Sequence, residues 1–348
     1  MISEKRPRLT SLFLLLGSST MLPFTPKKPW SKLPSQVQPA VHVAQEVTDA
    51  LVVTKKHEII LLTRKGITEL PFNKPLPNVR WVTADYDDPD RLSEILQGVD
   101  TVLSFIVTRS DPENKAQKNV IDASVRAGVR RFAPSEWATS SFEHLSWYAG
   151  KAEIREYLAE LNKRKKVLEY TLFQPGQFVD YLCYPHQTSR HVHPFQTQID
   201  FNARRAIILE GSENARVTLT TAKDLAGIVA RAVEYEAEWP VVGGIKGDEI
   251  TITEIIKLGE KIRGGPFTVE KLKVEDLKAG IVKSSWFPKV DHPSLLPAEV
   301  ETMAKGFLSG MLLGISAGVL RVSDEWNRLL PDYEFTGAER FLTEAWER

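Results

Sequence analysis

The chain has 348 residues, 42% of them apolar and 26% charged, with 45 Lys and Arg balanced by 45 Asp and Glu. That composition fits one large globular α/β domain, or a domain with an appended lobe, and excludes the disordered and fibrous classes. Zero net charge offers no electrostatic footing for a nucleic-acid partner, and the single cysteine, Cys183, excludes an intrachain disulfide framework and a thiolate metal site and fits a reducing, cytoplasmic setting.

The amino terminus departs from an ordinary globular pattern. Met1–Arg8 is basic and Leu9–Leu16 is a short apolar run, a weak imitation of a signal peptide and too short to cross a bilayer. The other reading is a buried strand over Ser11–Leu16, with Gly17 opening the turn after it. Met21–Pro39 is proline-rich and patternless, as in a loop or a disordered insert. Regular periodicity begins at Val43. Helical spacing runs over Val43–Val53, followed by a strand at Glu58–Leu62 that ends in Thr63-Arg64-Lys65. Next come a strand at Val79–Thr83, a helix over Pro89–Leu96 capped by Asp88, a strand over Asp100–Val107 and a helix over Lys115–Ala127 closed by Gly128. A strand at Val129–Ala133, a helix over Gly150–Lys163 and a strand at Tyr170–Phe173 complete the alternation.

Strands and helices that alternate in this way predict parallel βαβ units, hence a Rossmann-type doubly wound sheet with helices on both faces. Ligands in such sheets sit at the carboxyl ends of the strands, so Arg64, Asp85, Thr108, Ser135 and Gln174 become the informative positions. Beyond Gly176 the pattern loosens. Asp180–Ala206 reads as an irregular segment covering a substrate, with a strand at Val217–Thr220, helices over Ala222–Tyr235, Thr253–Arg263, Pro297–Leu320 and Ser323–Leu330, a strand at Phe267–Lys273 and a closing helix over Phe335–Trp346. The expected division is an aberrant segment 1–42, a nucleotide-binding core 43–176, and a substrate lobe 177–348 whose helices return to the core.

Four positions carry chemistry. Arg64 and Lys65 stand where an acid would bind the ribose hydroxyls of NAD; a guanidinium and an ammonium favour the 2′-phosphate of NADP instead. Lys151 opens a helix, where the dipole disfavours a cation and lowers its pKa toward that of a general acid or base. Arg155 lies one turn further on the same face. Ser135 leaves a strand at the sheet's carboxyl edge, near a nicotinamide, with Glu136 beside it. His186, His191 and His193 crowd together without ligand-spaced partners, so no metal is expected. Asp224 reads as a helix cap.

Asp85-Tyr86, Arg130–Trp137, Lys151–Arg155 and Tyr170–Gly176, in this order and spacing, resemble the NmrA-like group of atypical short-chain dehydrogenases. The chain is most similar to fungal proteins of the isoflavone reductase and phenylcoumaran benzylic ether reductase type, from about Val43 to its end. The resemblance implies NADP(H), a small-molecule substrate, and a lysine handling the proton within Lys151-Ala152-Glu153-Ile154-Arg155. It further implies that Arg155 contacts the cofactor, that Arg64 takes the 2′-phosphate with Lys65 and Lys74 nearby, and that the setting is secondary metabolism; Ser135, by its strand-end position, joins the cofactor-binding residues. Neither nucleic acid nor membrane is an expected partner, and an oligomer is compatible with the sequence. The departure from the family is its glycine-rich opening loop: no glycine lies between Gly17 and Gly66. Gly17 is the remnant expected near the pyrophosphate, separated from the first helix by an insertion that a retained intron or shifted exon boundary would produce. The alternative function is a non-catalytic dinucleotide sensor of the NmrA type, for which Lys151 would have no use.

Overall fold

The computed structural model describes residues 10–16, 39–64, 76–289 and 297–347. Six strands form one parallel sheet: β1 (Thr10–Leu16), β2 (His57–Thr63), β3 (Val79–Thr83), β4 (Thr101–Phe105), β5 (Arg131–Ala133) and β6 (Glu169–Tyr170). Their order is β3-β2-β1-β4-β5-β6, the doubly wound arrangement whose crevice opens where the order reverses. β1 takes the central place, with Leu12 opposite Ile59 of β2 and Thr101 of β4. The apolar run near the amino terminus is therefore a strand, which is also why it is short.

Period-two alternation explains the two layers of helices. On β2, Ile59 and Leu61 face one way, with Leu103 and Phe105 of β4, and pack against α1 (Pro39–Thr54) and α5 (Ala222–Glu234). Ile60 and Leu62 face the other way with Val102 and Phe132, covered by α2 (Pro89–Ile95), α3 (Lys115–Ala127) and α4 (Ala149–Leu161). Every residue of β2 but Glu58 is buried, as a central parallel strand requires. Local signals set the helix ends: Asp88 accepts the Arg91 amide at the start of α2, and Gly128, at φ 74°, ends α3 in the left-handed conformation.

The stretch expected as one strand at Tyr170–Phe173 divides. Thr171 still donates to Phe132 of the large sheet, but the Leu172 amide turns to Val241. β7 (Leu172–Gln174) consequently pairs with β12 (Val242–Gly244) in a sheet of its own. β8 (Gln177–Phe178) joins β11 (Arg216–Thr220) and β13 (Asp248–Thr251) in one small sheet. β9 (Ile199–Asp200), β10 (Arg205–Leu209) and β14 (Thr268–Leu272) form another. The segment expected to be irregular thus contains β9 and the first residues of β10, which pair with each other across a short antiparallel turn, while β10 also pairs with the distant β14. Around these sheets pack α6 (Ile252–Arg263), α7 (Val274–Lys278), α8 (Pro297–Ser316), α9 (Glu325–Leu329) and α10 (Ala338–Trp346). α5 corrects one expectation: Thr221, not Asp224, is its cap, accepting the Asp224 amide. The Asp224 carboxylate instead receives the Tyr333 hydroxyl and the Thr336 amide, tying the carboxyl-terminal segment to the helix. No helix among the described residues is long and apolar enough to cross a membrane.

Candidate active site

The site grows from the turn after β5. Pro134-Ser135-Glu136-Trp137 leaves the sheet at its carboxyl edge, and Trp137 is held at φ 47°. That conformation costs about 1–3 kcal/mol for a non-glycine residue. It persists because the indole is fixed by two stacked rings and a hydrogen bond at its edge. It stacks 4.4 Å from Phe105 and 5.3 Å from Phe173, and its Nε1 donates to the Ser104 carbonyl at 2.8 Å.

The turn is clamped from below by an ion pair. Glu136 is 1% exposed, and its carboxylate accepts Arg155 Nη2 at 2.6 Å and Nε at 3.1 Å. Burial raises the Glu136 pKa, and Arg155 pulls it back. Arg155 also donates to the Ser140 and Thr139 carbonyls and lies 4.0 Å from the Phe142 ring centroid. Arg155, expected against the cofactor, is therefore engaged with protein groups on every nitrogen. The buried carboxylate requires a counter-charge, and Arg155 supplies it.

Lys151, in the first turn of α4, is 9% exposed and reaches the same loop. Its ammonium donates to the Ser135 carbonyl and, at 2.6 Å, to the Glu136 carbonyl. Two of its three hydrogens are thereby used and the third remains, where Lys151 borders the cavity and the hollow behind it. Burial pushes the Lys151 ammonium down to about 8; the Glu136 carboxylate opposes this and the Arg155 charge adds to it. Gly150 lets α4 begin so close: a Cβ there would strike Thr108 and Asn114.

Beside Lys151 lies a cavity of about 160 Å³, partly open to solvent. One wall comes from the large sheet and its loops, with Thr108, Ser135, Trp137, Tyr148 and Lys151. The other comes from the later segments, with Phe178, Tyr181, Phe195, Gln198, Phe307 and Met311. Aromatic faces dominate, a surface suited to a flat ring system. Behind Lys151 a smaller hollow is lined by Asp111, Asn114 and Gln117, and Ser135 borders both spaces. The Ser135 hydroxyl is buried and lacks a hydrogen-bond partner among the described residues.

Arg64 directly follows β2, with its guanidinium 5.2 Å from the Tyr86 ring centroid and its Nε buried without a partner among the described residues. Its charge acts on the Asp111 carboxyl, which burial pushes up and which borders the hollow behind Lys151. Arg64 and Ser135 stand at strand ends three places apart in the sheet, about 14 Å at ordinary strand spacing. An extended dinucleotide bridges such a span. Gly17, Lys65 and Lys74 lie outside the described residues.

The three clustered histidines disperse: His186 packs on Trp346, His191 meets Asp49 at 2.9 Å, and His193 meets Gln187 at 3.0 Å. Cys183 is buried as a small apolar side chain. Sequence reasoning missed Tyr148, Tyr181, Gln198 and Phe307. Tyr148 alone carried a signal, three residues before Lys151; the others come from distant segments with no local motif.

Sheet order, the crevice at its carboxyl rim and the buried lysine define a Rossmann-type nucleotide fold with a ligand cavity. A model of the NmrA-like family matches residues 40–306, and the chain belongs to that family. It is 28% identical over 295 residues to the oxidoreductase BOA1 of Botryotinia fuckeliana, a match covering 84% of this chain and 93% of that protein. The fold is similar to that of AtPrR2 solved with NADP+ and (+)-pinoresinol, with a TM-score of 0.64, 15% identity, and 97% and 99% of the two chains covered. It is likewise similar to an isoflavone reductase, with a TM-score of 0.63, 18% identity, and 97% and 99% covered.

Proposed function

We propose that this chain is an NADPH-dependent reductase that converts a small aromatic or conjugated carbonyl compound to its reduced form, in the cytoplasm and in service of secondary metabolism. The observation that carries the reading is Lys151: a buried ammonium, fixed by two carbonyls, with one hydrogen unused, lining an aromatic cavity at the carboxyl rim of the sheet. A cation placed there without a carboxylate bound to it is costly to the fold, and catalysis is the reason to keep it.

The residues fit a nicotinamide dinucleotide phosphate. Two orphaned buried groups, Arg64 Nε and Ser135 Oγ, sit at the two ends of the rim where the phosphorylated ribose and the nicotinamide belong. Arg64 would hold the 2′-phosphate, with Lys65 and Lys74 following it in the chain and Gly17 at the pyrophosphate; Ser135 would meet the nicotinamide. The structural neighbour AtPrR2 was solved with NADP+, which supports the same cofactor here. In the division expected from sequence, residues 43–176 hold the nucleotide together with the strand from segment 1–42, and 177–348 cover the substrate.

When bound, NADPH supplies a hydride for the substrate carbon. Lys151 donates its free hydrogen to the substrate oxygen and passes it the proton as the C–H bond forms, so that C=O becomes CH–OH. The Ser135 and Glu136 carbonyls hold the amine in place through the transfer. Arg155 acts through Glu136, as a positioning residue. A pKa near 8 keeps Lys151 protonated at neutral pH yet ready to release its proton. Purified protein, NADPH and a panel of aryl ketones and enones test the reading. Substrate-dependent loss of NADPH absorbance supports it. NADPH binding without turnover of any panel member would favour the sensor alternative, and no NADPH binding would refute both.

A further inference from the structure

The cavity wall contributed by the later segments holds a polar group that the fold itself does not use. Gln198 is 4% exposed and lines the cavity. Its backbone carbonyl accepts the Ile207 amide, which places the residue at the edge of β10. Its carboxamide makes no hydrogen bond to any described residue. The contrast with Gln196, two positions earlier, is instructive. Gln196 is 6% exposed, and both ends of its amide are engaged: Nε2 donates to Asp200 at 2.6 Å, and Oε1 accepts the Lys289 amide at 2.8 Å. Gln196 is a structural glutamine. Gln198 has the same burial without the same partners, and it also borders a second, small hollow lined mostly by apolar side chains, Ile199, Ile207, Leu312 and Ile315 among them, with Ser212 the other polar residue; an unpaired amide in such a setting is costly.

Tyr181 presents a second such group on that wall. Its ring packs on Phe178 and Phe195, its hydroxyl has no hydrogen-bond partner among the described residues, and it lines the same cavity. Lys151, by contrast, borders the polar hollow under α4, on the wall built from the large sheet. The reacting end and the Gln198 end thus belong to different walls of one aromatic-lined space.

We infer that Gln198 is a specificity-determining residue: its carboxamide hydrogen-bonds a second oxygen on the substrate, remote from the carbonyl reduced beside Lys151, so that the preferred substrates are aryl carbonyl compounds carrying a ring hydroxyl. The inference rests on the cavity being the substrate site of the proposed reductase. A pocket built to pair with a hydroxyl discriminates against the analogue lacking it, because the buried amide is then left unpaired.

The test compares para-hydroxybenzylideneacetone with benzylideneacetone, two enones differing by one ring hydroxyl at the end away from the carbonyl. Their affinities are measured by calorimetry on the full chain, with and without saturating NADP+, which cannot reduce them. Wild type is expected to bind the hydroxylated enone about tenfold more tightly, the worth of one well-made buried hydrogen bond. Gln198→Met and Gln198→Leu are expected to reduce that preference to within about twofold. Equal affinities in wild type, a preference that survives in both variants, or binding of neither compound overturns the inference. NADPH titrated into the same proteins reports on the reductase reading separately: a hydroxyl preference dependent on Gln198 in a protein that does not bind NADPH would refute the reductase and leave the polar recognition standing.

Discussion

Replacing Lys151 with methionine separates what the fold needs from what the reaction needs. The ammonium pKa falls from 10.5 to about 8 on folding. That difference corresponds to about 3 kcal/mol of destabilisation carried by the buried charge at neutral pH. Below pH 8 the lysine is protonated in both states, and the folded protein bears the full cost. Between about 8 and 10.5 the unfolded chain holds a proton that the folded chain has released, so wild-type stability rises with pH. Methionine fills a similar volume without a charge. It removes the 3 kcal/mol cost but leaves the Ser135 and Glu136 carbonyls without their donor, at about 1 kcal/mol each. Lys151→Met is therefore expected to be about 1 kcal/mol more stable than wild type at pH 7. That advantage turns into a deficit of about 1–2 kcal/mol near pH 10, while turnover falls about 10²- to 10⁴-fold. Urea denaturation of both proteins at the two pH values, paired with NADPH oxidation, measures all three quantities. A variant-to-wild-type difference independent of pH would show that the lysine bears no buried charge, and undiminished turnover would remove it from the mechanism.

Other outcomes follow from the same geometry. The kcat/KM profile of wild type is expected to fall as pH rises through about 8, where Lys151 loses the proton it must give; a flat profile to pH 9.5 would contradict the acid role. Arg64→Ala is expected to weaken NADPH about 10- to 100-fold, the worth of charge-assisted bonds to a phosphate, while NADH changes little. Fluorescence titration decides, and equal losses would remove the case for the 2′-phosphate. Glu136→Ala leaves the Arg155 guanidinium beneath the turn without its counter-charge and is expected to cost about 3 kcal/mol in urea denaturation. A loss below about 1 kcal/mol would mean the pair does not hold the turn.

Much of the fold was legible because its signals are local. The strand at Val79–Thr83 and the helix at Lys115–Ala127 were read to the residue, since apolar periodicity and Gly128 are properties of short windows. Tyr170–Phe173 misled because strand propensity does not say which neighbour a strand will pair with; the change of partner at Leu172 depends on Val241, some seventy residues later. Asp224 misled for a similar reason, its partners Tyr333 and Thr336 lying near the other end of the chain.

By itself the sequence determined the alternation of strands and helices, the cations following one strand, and a lysine at a helix start, because each is a matter of residue type and short spacing. Tertiary structure alone decided that Thr10–Leu16 completes the centre of the sheet, that Arg155 pairs with Glu136, and that Tyr181, Gln198 and Phe307 share a cavity with Lys151. Burial, charge pairing and cavity shape arise from residues far apart in the chain, and only the packed chain brings those residues within reach of one another.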